Sequence, residues 1–173
     1  MTSADLPALL GIADIVHPTY PEDPAVFEER LALFPAGCLV LESQPRLATL
    51  IEGAGHEGEG GLIGYILSHP WTYAAPPALN SRLGQIPTPP TTYYIHDIAL
   101  MPEARGTGAA NAVVTRLIAL AETLGLPGLS LVAVNNSVAF WQRHGFVLTA
   151  VPALDAKLRS YDEAARFMVR AIG

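Results

Sequence analysis

The chain has 173 residues, half of them hydrophobic and 15% charged, with a formal net charge of −6. This length suits one folded domain with its own core, and this composition excludes a disordered chain. The negative charge argues against nonspecific binding to DNA or RNA, which requires a basic surface. We therefore expect a single domain spanning residues 1–173, without a nucleic-acid partner.

Further features limit the compartment and the chemistry. The single cysteine, Cys38, excludes an internal disulfide and a cysteine-cluster metal site, and we expect no metal. Residues 1–11 lack the basic and apolar regions of a signal peptide. The longest mostly apolar stretch, residues 109–126, contains polar and charged residues and predicts an amphipathic core helix rather than a membrane span. We expect a cytoplasmic protein without a membrane partner.

The first half of the chain predicts short strands around one helix. Residues 9–16 are predicted to form a strand, and Asp23 followed by Pro24 predicts the start of a helix. Residues 53–61 predict a glycine-rich loop, and the proline-dense residues 72–91 predict a long functional loop. Further strands are predicted at residues 38–41, 47–51 and 62–68.

The second half predicts a strand–helix–strand unit with hairpins around it. Residues 92–100 predict a strand, and residues 108–124 predict the longest helix, with Gly125 as its C-cap. The remaining predicted elements are a strand at 129–134, a helix at 137–144, and strands at 146–150 and 167–172.

The segment between the strand at 92–100 and the following helix has the features of an anion site. The first turn of a helix has unpaired amides and a positive dipole end. Gly106 and Gly108 have no Cβ, so a phosphate can approach the backbone closely. Thr107 adds a hydroxyl and Arg105 a permanent charge. Because glycine turns of this kind also occur without a ligand, a purely structural turn stays open.

These residues resemble the GNAT superfamily of N-acetyltransferases. Residues 98–102 read IALMP and residues 105–110 read RGTGAA, which resembles the family's Arg/Gln-x-x-Gly-x-Gly/Ala signature after a strand. Residues 137–146, SVAFWQRHGF, resemble the family's later helix and its closing Gly-Phe. The resemblance is strong over residues 61–147 and weaker before them.

The resemblance implies an α/β (α+β) fold with a central mixed, mostly antiparallel sheet and helices on both faces. The parallel strands at 92–100 and 129–134 would splay apart and form a wedge for acetyl-CoA, and the chain would be a monomer or homodimer. The implied cofactor-binding residues are Ile98, Ala99, Leu100, Arg105, Gly106, Thr107, Gly108, Ala109, Ala110, Asn136 and Trp141.

The resemblance also implies direct transfer of an acetyl group to a primary amine of a small molecule or peptide. His96 and Asp97 are the candidate bases. Histidine titrates near neutrality, whereas Asp97 would need a raised pKa. Adjacent residues of a regular strand face opposite sides, so a bulge would be needed to turn both side chains toward the cleft. A structural role for either residue stays open.

One departure from the family's pattern concerns the general acid. Trp141 stands where a tyrosine is common, and an indole N–H is too weak an acid to protonate a thiolate. We interpret Trp141 as a wall of the cofactor site or as core. Ser137, His144 and Tyr161 are alternative acids, and the sequence does not choose among them.

The candidate acceptor-binding residues are His69, Trp71 and Tyr94, since the first two lie where a predicted strand enters the proline-dense loop. His17 and Tyr20 are further candidates, with ordinary packing as the alternative for each. Other acyl groups and a noncatalytic CoA-binding or sensing domain of the same fold stay open. A nucleotide-dependent oxidoreductase is disfavoured because G-x-G-x-x-G is absent.

Overall fold

One sheet of six strands forms the centre of the described structure. The computed structural model describes residues 1–43 and 61–173. The strands are β1 (Cys38–Glu42), β2 (Leu62–Trp71), β3 (Thr92–Leu100), β4 (Gly128–Ala133), β5 (Val147–Leu148) and β6 (Arg166–Ala171). The helices within these residues are α1 (Leu6–Val16), α2 (Pro24–Leu33), α3 (Ala109–Thr123), α4 (Val138–Arg143) and α5 (Asp155–Arg159). The predicted strand at 47–51 and nearly all of the loop predicted at 53–61 lie outside the described residues.

The sheet is mixed and mostly antiparallel, as predicted, and its strands lie in the order β1-β2-β3-β4-β6-β5. β3 and β4 run parallel, whereas every other neighbouring pair of the described sheet is antiparallel. A parallel pair needs a long crossover connection, and α3 supplies it between β3 and β4.

Helices cover both faces of the sheet, and each face has its own core. The alternation of side chains along β2 explains this, because successive residues point to opposite faces. Tyr65 and Leu67 pack with residues of α1 and α2, whereas Ile66 packs with residues of α3 and α4. The buried helical residues in these two cores are Leu9, Ile12 and Phe27 on one face, and Val114, Leu117, Ala121 and Trp141 on the other.

The strand predicted at residues 9–16 is wrong, because this segment is most of helix α1. Its β-branched residues favoured the strand interpretation, but its apolar residues recur at helical spacing. Leu9 and Ile12 are buried three residues apart, and Leu6, Leu10, Ala13 and Val16 pack on the same core. Burial of this stripe against β2 outweighs the strand propensity of single residues.

The predicted helix boundaries at α2 and α3 agree with the structure. Asp23 is the N-cap of α2, with Pro24 at its first position. α3 ends at a left-handed Gly125, with φ +67°. The amide of Gly125 donates to the Glu122 carbonyl and that of Leu126 to the Ala121 carbonyl, which is the Schellman pattern.

Three elements near the site and the C-terminus differ from the prediction. β2 continues to Trp71, so the predicted strand at 62–68 is too short. The strand predicted at 146–150 is reduced to β5, and helix α5 was not predicted. The longer β2 places residues 69–71 within the sheet instead of in the proline-dense loop.

Leu117 supports the core between α3 and the sheet, where its side chain is 0% exposed. We expect Leu117→Ala to lower the free energy of unfolding by about 2–5 kcal/mol, because it leaves a cavity. The matched control is Leu124→Ala at the end of the same helix, where the leucine is 43% exposed. The control should cost about 0.5 kcal/mol or less in urea denaturation. Equal losses in the two variants would contradict the assignment of this core.

Candidate active site

A β-bulge in β3 turns His96 and Asp97 toward the same side of the sheet. Leu67 of β2 lies opposite Asp97, but the next residue, Ser68, lies opposite Ile95, so His96 is the extra residue. Without it, the two side chains would lie on opposite faces. The bulge resets the alternation, and both residues line the same two cavities. The bulge proposed from the sequence is therefore confirmed.

The first cavity, here called the central cleft, lies where β3 and β4 separate. These strands pair only at Tyr93 with Leu129 and at Tyr94 with Ser130 within the described residues. Beyond that point they splay, as predicted, and the central cleft between them has a volume of about 280 Å³. It is lined from β3 by Ile95, His96, Asp97, Ile98 and Leu100, and from β4 and the segment after it by Leu131, Val132, Val134 and Asn135.

The second cavity, here called the side pocket, has a volume of about 70 Å³ and lies on the α1 and α2 side of the sheet. Its polar lining consists of histidine, carboxylate and phenol groups, namely His17, Tyr20, Glu22, Tyr65, Tyr94, His96, Asp97 and Tyr161. His17, His96 and Asp97 line the central cleft as well. The two cavities therefore meet at the bulge.

Two histidine–carboxylate pairs stand at this junction. His96 Nε2 lies 2.9 Å from Glu22 Oε2, and the two side chains are only 8% and 7% exposed. His17 Nε2 lies 2.9 Å from Asp97 Oδ1 and 3.2 Å from the Ile98 carbonyl oxygen. The Tyr65 hydroxyl also donates a hydrogen bond to Asp97. Each carboxylate is thus held by donors from a distant part of the chain.

The same contacts fix which ring nitrogens carry protons. Both neighbours of His17 Nε2 are acceptors, so this nitrogen is protonated. Glu22 likewise requires a proton on His96 Nε2, so in the neutral form of the ring Nδ1 is the nitrogen without a proton. Nδ1 has no hydrogen-bond partner within residues 1–43 and 61–173.

The pairing shifts the pKa values of its members. Burial by itself would lower the pKa of His17, but the hydrogen bond and charge of Asp97 outweigh it and raise that pKa above 6.5. Burial would raise the pKa of Asp97, but His17 and Tyr65 hold it below its ordinary value. The pKa of Glu22 is lowered in the same way, because contact with His96 outweighs burial. The raised pKa that Asp97 would need as a base is therefore not found.

The His17–Asp97 pair makes stability depend on pH. The contribution of His17 is complete below its ordinary pKa of 6.5 and is lost as pH rises through its raised folded-state pKa. That of Asp97 is present above its ordinary pKa of 3.8 and is lost as pH falls through its lowered pKa. We expect His17→Gln to lower Tm more at about pH 5.5 than at about pH 9. Addition of Asp97→Asn should then cost less than it does in the wild type. An effect of His17→Gln that is independent of pH would contradict the ion pair.

The turn before α3 has the open backbone that the anion-site interpretation requires. Gly106 and Gly108 have φ values of +75° and +87°, and a Cβ at either residue would meet no atom within 4 Å. Within the described part of the chain, no acceptor engages the amides of Gly106, Gly108 or Ala110. Arg105 lines the central cleft, and its Nε donates to the Leu100 carbonyl at 3.2 Å.

Thr107 is less available to an anion than its glycine neighbours. The hydroxyl of Thr107 donates to the Ala104 carbonyl at 2.8 Å, so its proton is already committed to the turn. It also accepts from the Ala109 amide, at 3.3 Å. Thr107 therefore stabilises the start of α3, and the amides of its glycine neighbours are the groups left for an anion.

The other predicted cofactor residues lie at different depths. Ile98, Leu100 and Trp141 line the central cleft. Ala99 is fully buried on the opposite face of β3, so only its backbone lies at the strand edge. Asn136 is exposed and does not line the cleft, whereas its neighbour Asn135 does.

Of the predicted acceptor-binding residues, Tyr94 lines the side pocket, as do the further candidates His17 and Tyr20, whereas His69 and Trp71 do not. His69 is 1% exposed, and burial lowers its pKa to about 3, so it is a neutral core residue. The Trp71 indole donates to the Ala75 carbonyl at 2.7 Å and holds the start of the proline-dense loop. Both lie on one face of β2, where His69 contacts Trp71 and the pocket residue Tyr94.

Sequence reasoning missed Glu22 and Tyr65. Glu22 lies just before the N-cap of α2, where nothing local indicates a contact with β3. Tyr65 had a usable signal, because it alternates with Leu67 along β2 and so shares a face with it. Among the alternative acids, Ser137 lines the central cleft and Tyr161 the side pocket, whereas His144 lines neither.

Comparison with known protein sequences identifies the family of this chain. The sequence model of the acetyltransferase (GNAT) family matches residues 10–146, and the chain belongs to this family. No curated protein sequence matches significantly.

Among the described residues, no group of three or more histidine, cysteine, aspartate or glutamate residues is placed to hold a metal ion. Also among them, no helix is long and apolar enough to cross a membrane.

Solved structures of the same fold serve more than one chemistry. Ard1 from Thermoplasma volcanium is 17% identical with a TM-score of 0.66, over 100% of this chain and 95% of that one. Naa20 from Chaetomium thermophilum, in complex with a bisubstrate analogue, is 18% identical with a TM-score of 0.69, over 99% and 84%. The GphF GNAT-like decarboxylase, in complex with isobutyryl-CoA, is 17% identical with a TM-score of 0.70, over 99% and 96%. At these identities the likeness establishes the fold alone.

Proposed function

We propose that this protein is an N-acetyltransferase that transfers an acetyl group from acetyl-CoA to a primary amine of a small molecule or peptide. The observation that carries the proposal is the bulge at His96. It joins a cleft suited to a CoA thioester with a pocket suited to an amine, and it puts a candidate base at their junction.

The residues present fit acetyl-CoA. The free amides of Gly106, Gly108 and Ala110 at the start of α3, with no side chain in front of the glycines, suit a pyrophosphate. Arg105 adds a positive charge at the rim of the central cleft. Beyond Tyr94, β3 has no backbone partner in the described part of β4, so its edge is free to bind the amide groups of pantetheine. When bound, the thioester supplies an activated acyl carbon with a good leaving group.

His96 is the proposed general base, and Glu22 positions it. The Glu22 carboxylate holds Nε2–H, so Nδ1 takes a proton from the amine as the amine nitrogen bonds to the thioester carbonyl carbon. The carbon–sulfur bond then breaks, and CoA leaves as a thiolate. Asp97, with its lowered pKa, remains ionised; we assign it the role of holding His17 and the bulge rather than removing a proton.

No strong acid is required for the departure of the thiolate. Trp141 packs against Phe140 and Phe146 and serves as a wall of the central cleft. The Ser137 hydroxyl donates to the Val134 carbonyl at 2.6 Å, so its proton is already committed. Tyr161 is the one candidate acid that faces the acceptor side, and burial raises its pKa to about 12.

Acetyl-CoA binding tests the anion site with a matched pair of variants. Asp and Asn both tolerate the left-handed conformation of Gly108 better than other residues with a side chain, and they differ chiefly in charge. We expect Gly108→Asp to bind acetyl-CoA at least about tenfold more weakly than Gly108→Asn, because its carboxylate repels the pyrophosphate. Calorimetric titration measures both, with NAD as the control ligand. Equal affinities would mean that the turn is structural.

The proposed role of His96 as general base is tested by measuring CoA thiol release with an amine that the wild-type protein acetylates. We expect His96→Ala to lower kcat by about 100-fold or more while acetyl-CoA affinity stays within about threefold of the wild type. Glu22→Gln should lower kcat less and shift the pH–rate profile, because it perturbs the base without removing it. Unchanged turnover in His96→Ala would place the base elsewhere.

A noncatalytic CoA-binding or sensing domain is the alternative, and the replacement of the common tyrosine by Trp141 is the observation that favours it. The same two measurements separate the alternatives. Saturable acetyl-CoA binding with turnover of an amine supports the enzyme, whereas binding without turnover of any amine supports the sensing domain.

A further inference from the structure

The acceptor side of the site is closed by hydrogen bonds between distant segments, and this closure limits what can enter. We refer to residues 17–23, 77–80 and 161–162 together as the outer wall. On the proposed function given above, we infer that the acceptor is a short aliphatic amine without a carboxylate group, and not the N-terminus of a polypeptide.

Contacts between the three segments hold the outer wall together. The Tyr161 hydroxyl donates to the Pro77 carbonyl, and the Tyr20 hydroxyl donates to Asp162 Oδ2 at 2.6 Å. Asn80 joins the loop before α2, because its amide donates to Glu22 Oε1 at 3.1 Å and its side-chain Oδ1 accepts from the Asp23 amide at 2.7 Å. An extended peptide leaving the side pocket on this side would have to break several of these bonds.

The small volume of the side pocket also favours a short aliphatic amine. Its volume of about 70 Å³ is less than half of the roughly 150 Å³ cavity that admits a benzene ring. Tyr65 and Tyr94 are nearly completely buried, so the inner end is enclosed by rings that cannot move apart cheaply. A short alkyl chain fits this space, whereas an aryl group does not.

The charge of the lining excludes an anionic acceptor. Glu22 and Asp97 line the side pocket, and no lysine or arginine is among its described lining residues. The buried guanidinium of Arg30 is committed to Glu29 and to the Ser81 carbonyl, both at 2.8 Å, and does not line the pocket. An acceptor with a carboxylate would therefore face two carboxylates without a free cation to bind it.

A series of amines tests size and charge with the wild-type protein. The probes are n-propylamine, phenethylamine, β-alaninamide, β-alanine and a five-residue peptide with a free N-terminus. CoA release is measured as kcat/KM per concentration of unprotonated amine, because the amines differ in pKa. We expect kcat/KM for β-alaninamide to exceed that for β-alanine, which carries a carboxylate in place of the amide, by about tenfold or more. We expect kcat/KM for n-propylamine to exceed the values for phenethylamine and for the peptide.

Variants of the outer wall test the cause of peptide exclusion. Tyr20→Phe removes the bond to Asp162, and Asn80→Gly removes the side-chain bonds while preserving a backbone with φ +50°. Each should raise the peptide-to-propylamine ratio of kcat/KM by about fivefold, the equivalent of one ordinary hydrogen bond. Tyr73→Phe is the control, because Tyr73 lies in the same proline-dense loop, is 43% exposed and does not line the side pocket.

The outcomes separate this inference from the proposed function. The inference is supported if the protein prefers short amines without a carboxylate and if the peptide-to-propylamine ratio of kcat/KM rises only in the outer-wall variants. Faster turnover of the peptide, of phenethylamine or of β-alanine would overturn the inference and leave the proposed acetyltransferase standing. Saturable acetyl-CoA binding with no turnover of any probe would overturn both.

Discussion

His96 is the one residue of the β3 bulge that has no pairing partner on β2, and the arrangement of the site depends on this bulge. Before it, Tyr93 and Ile95 pack toward α3; after it, Asp97 and Ala99 face α1 and α2. A strand without the bulge would place the two adjacent polar residues on opposite faces, one of them in an apolar core. The bulge lets both share one polar region, and it falls just beyond the last pair between β3 and β4. The disruption of one strand therefore coincides with the opening of the central cleft.

The polar region at the bulge is stable because its charges are paired. Burying an isolated carboxylate is costly, and the usual outcome is a raised pKa and a neutral group. Here the pKa values of Glu22 and Asp97 are lowered instead, because each carboxylate contacts an imidazole. The two pairs are not equivalent. Among the described residues, His17 is held by two acceptors at one nitrogen, whereas His96 has a single carboxylate partner. This difference is the basis for proposing a supporting role for His17 and proton transfer for His96.

The two ends of the site differ in how they are built. The turn at Arg105 to Ala110, the proposed pyrophosphate site, offers free backbone amides and depends on local conformation, so it needs few long-range contacts. The acceptor side is assembled from α1, the loop before α2, the proline-dense loop and the segment after α5. Such loops vary without disturbing the sheet. On the proposed function, these are the parts that determine the acceptor.

Local chemistry was sufficient for part of the structure and for one half of the site. The spacing of apolar residues and the cap at Gly125 predicted α3, and the β-branched and aromatic residues at 92–100 predicted β3. The glycines before α3 indicated a candidate anion site. Each of these features depends on residues close in sequence. The sequence also limited the candidate bases to His96 and Asp97. The proposal of His96 over Asp97 needs the tertiary structure, because the partners Glu22 and His17 lie more than 70 residues away. The tertiary structure likewise placed His69 in the core and closed the outer wall. Contacts between distant segments leave no periodic trace in the sequence, and for that reason the acceptor side could be read only from the folded chain.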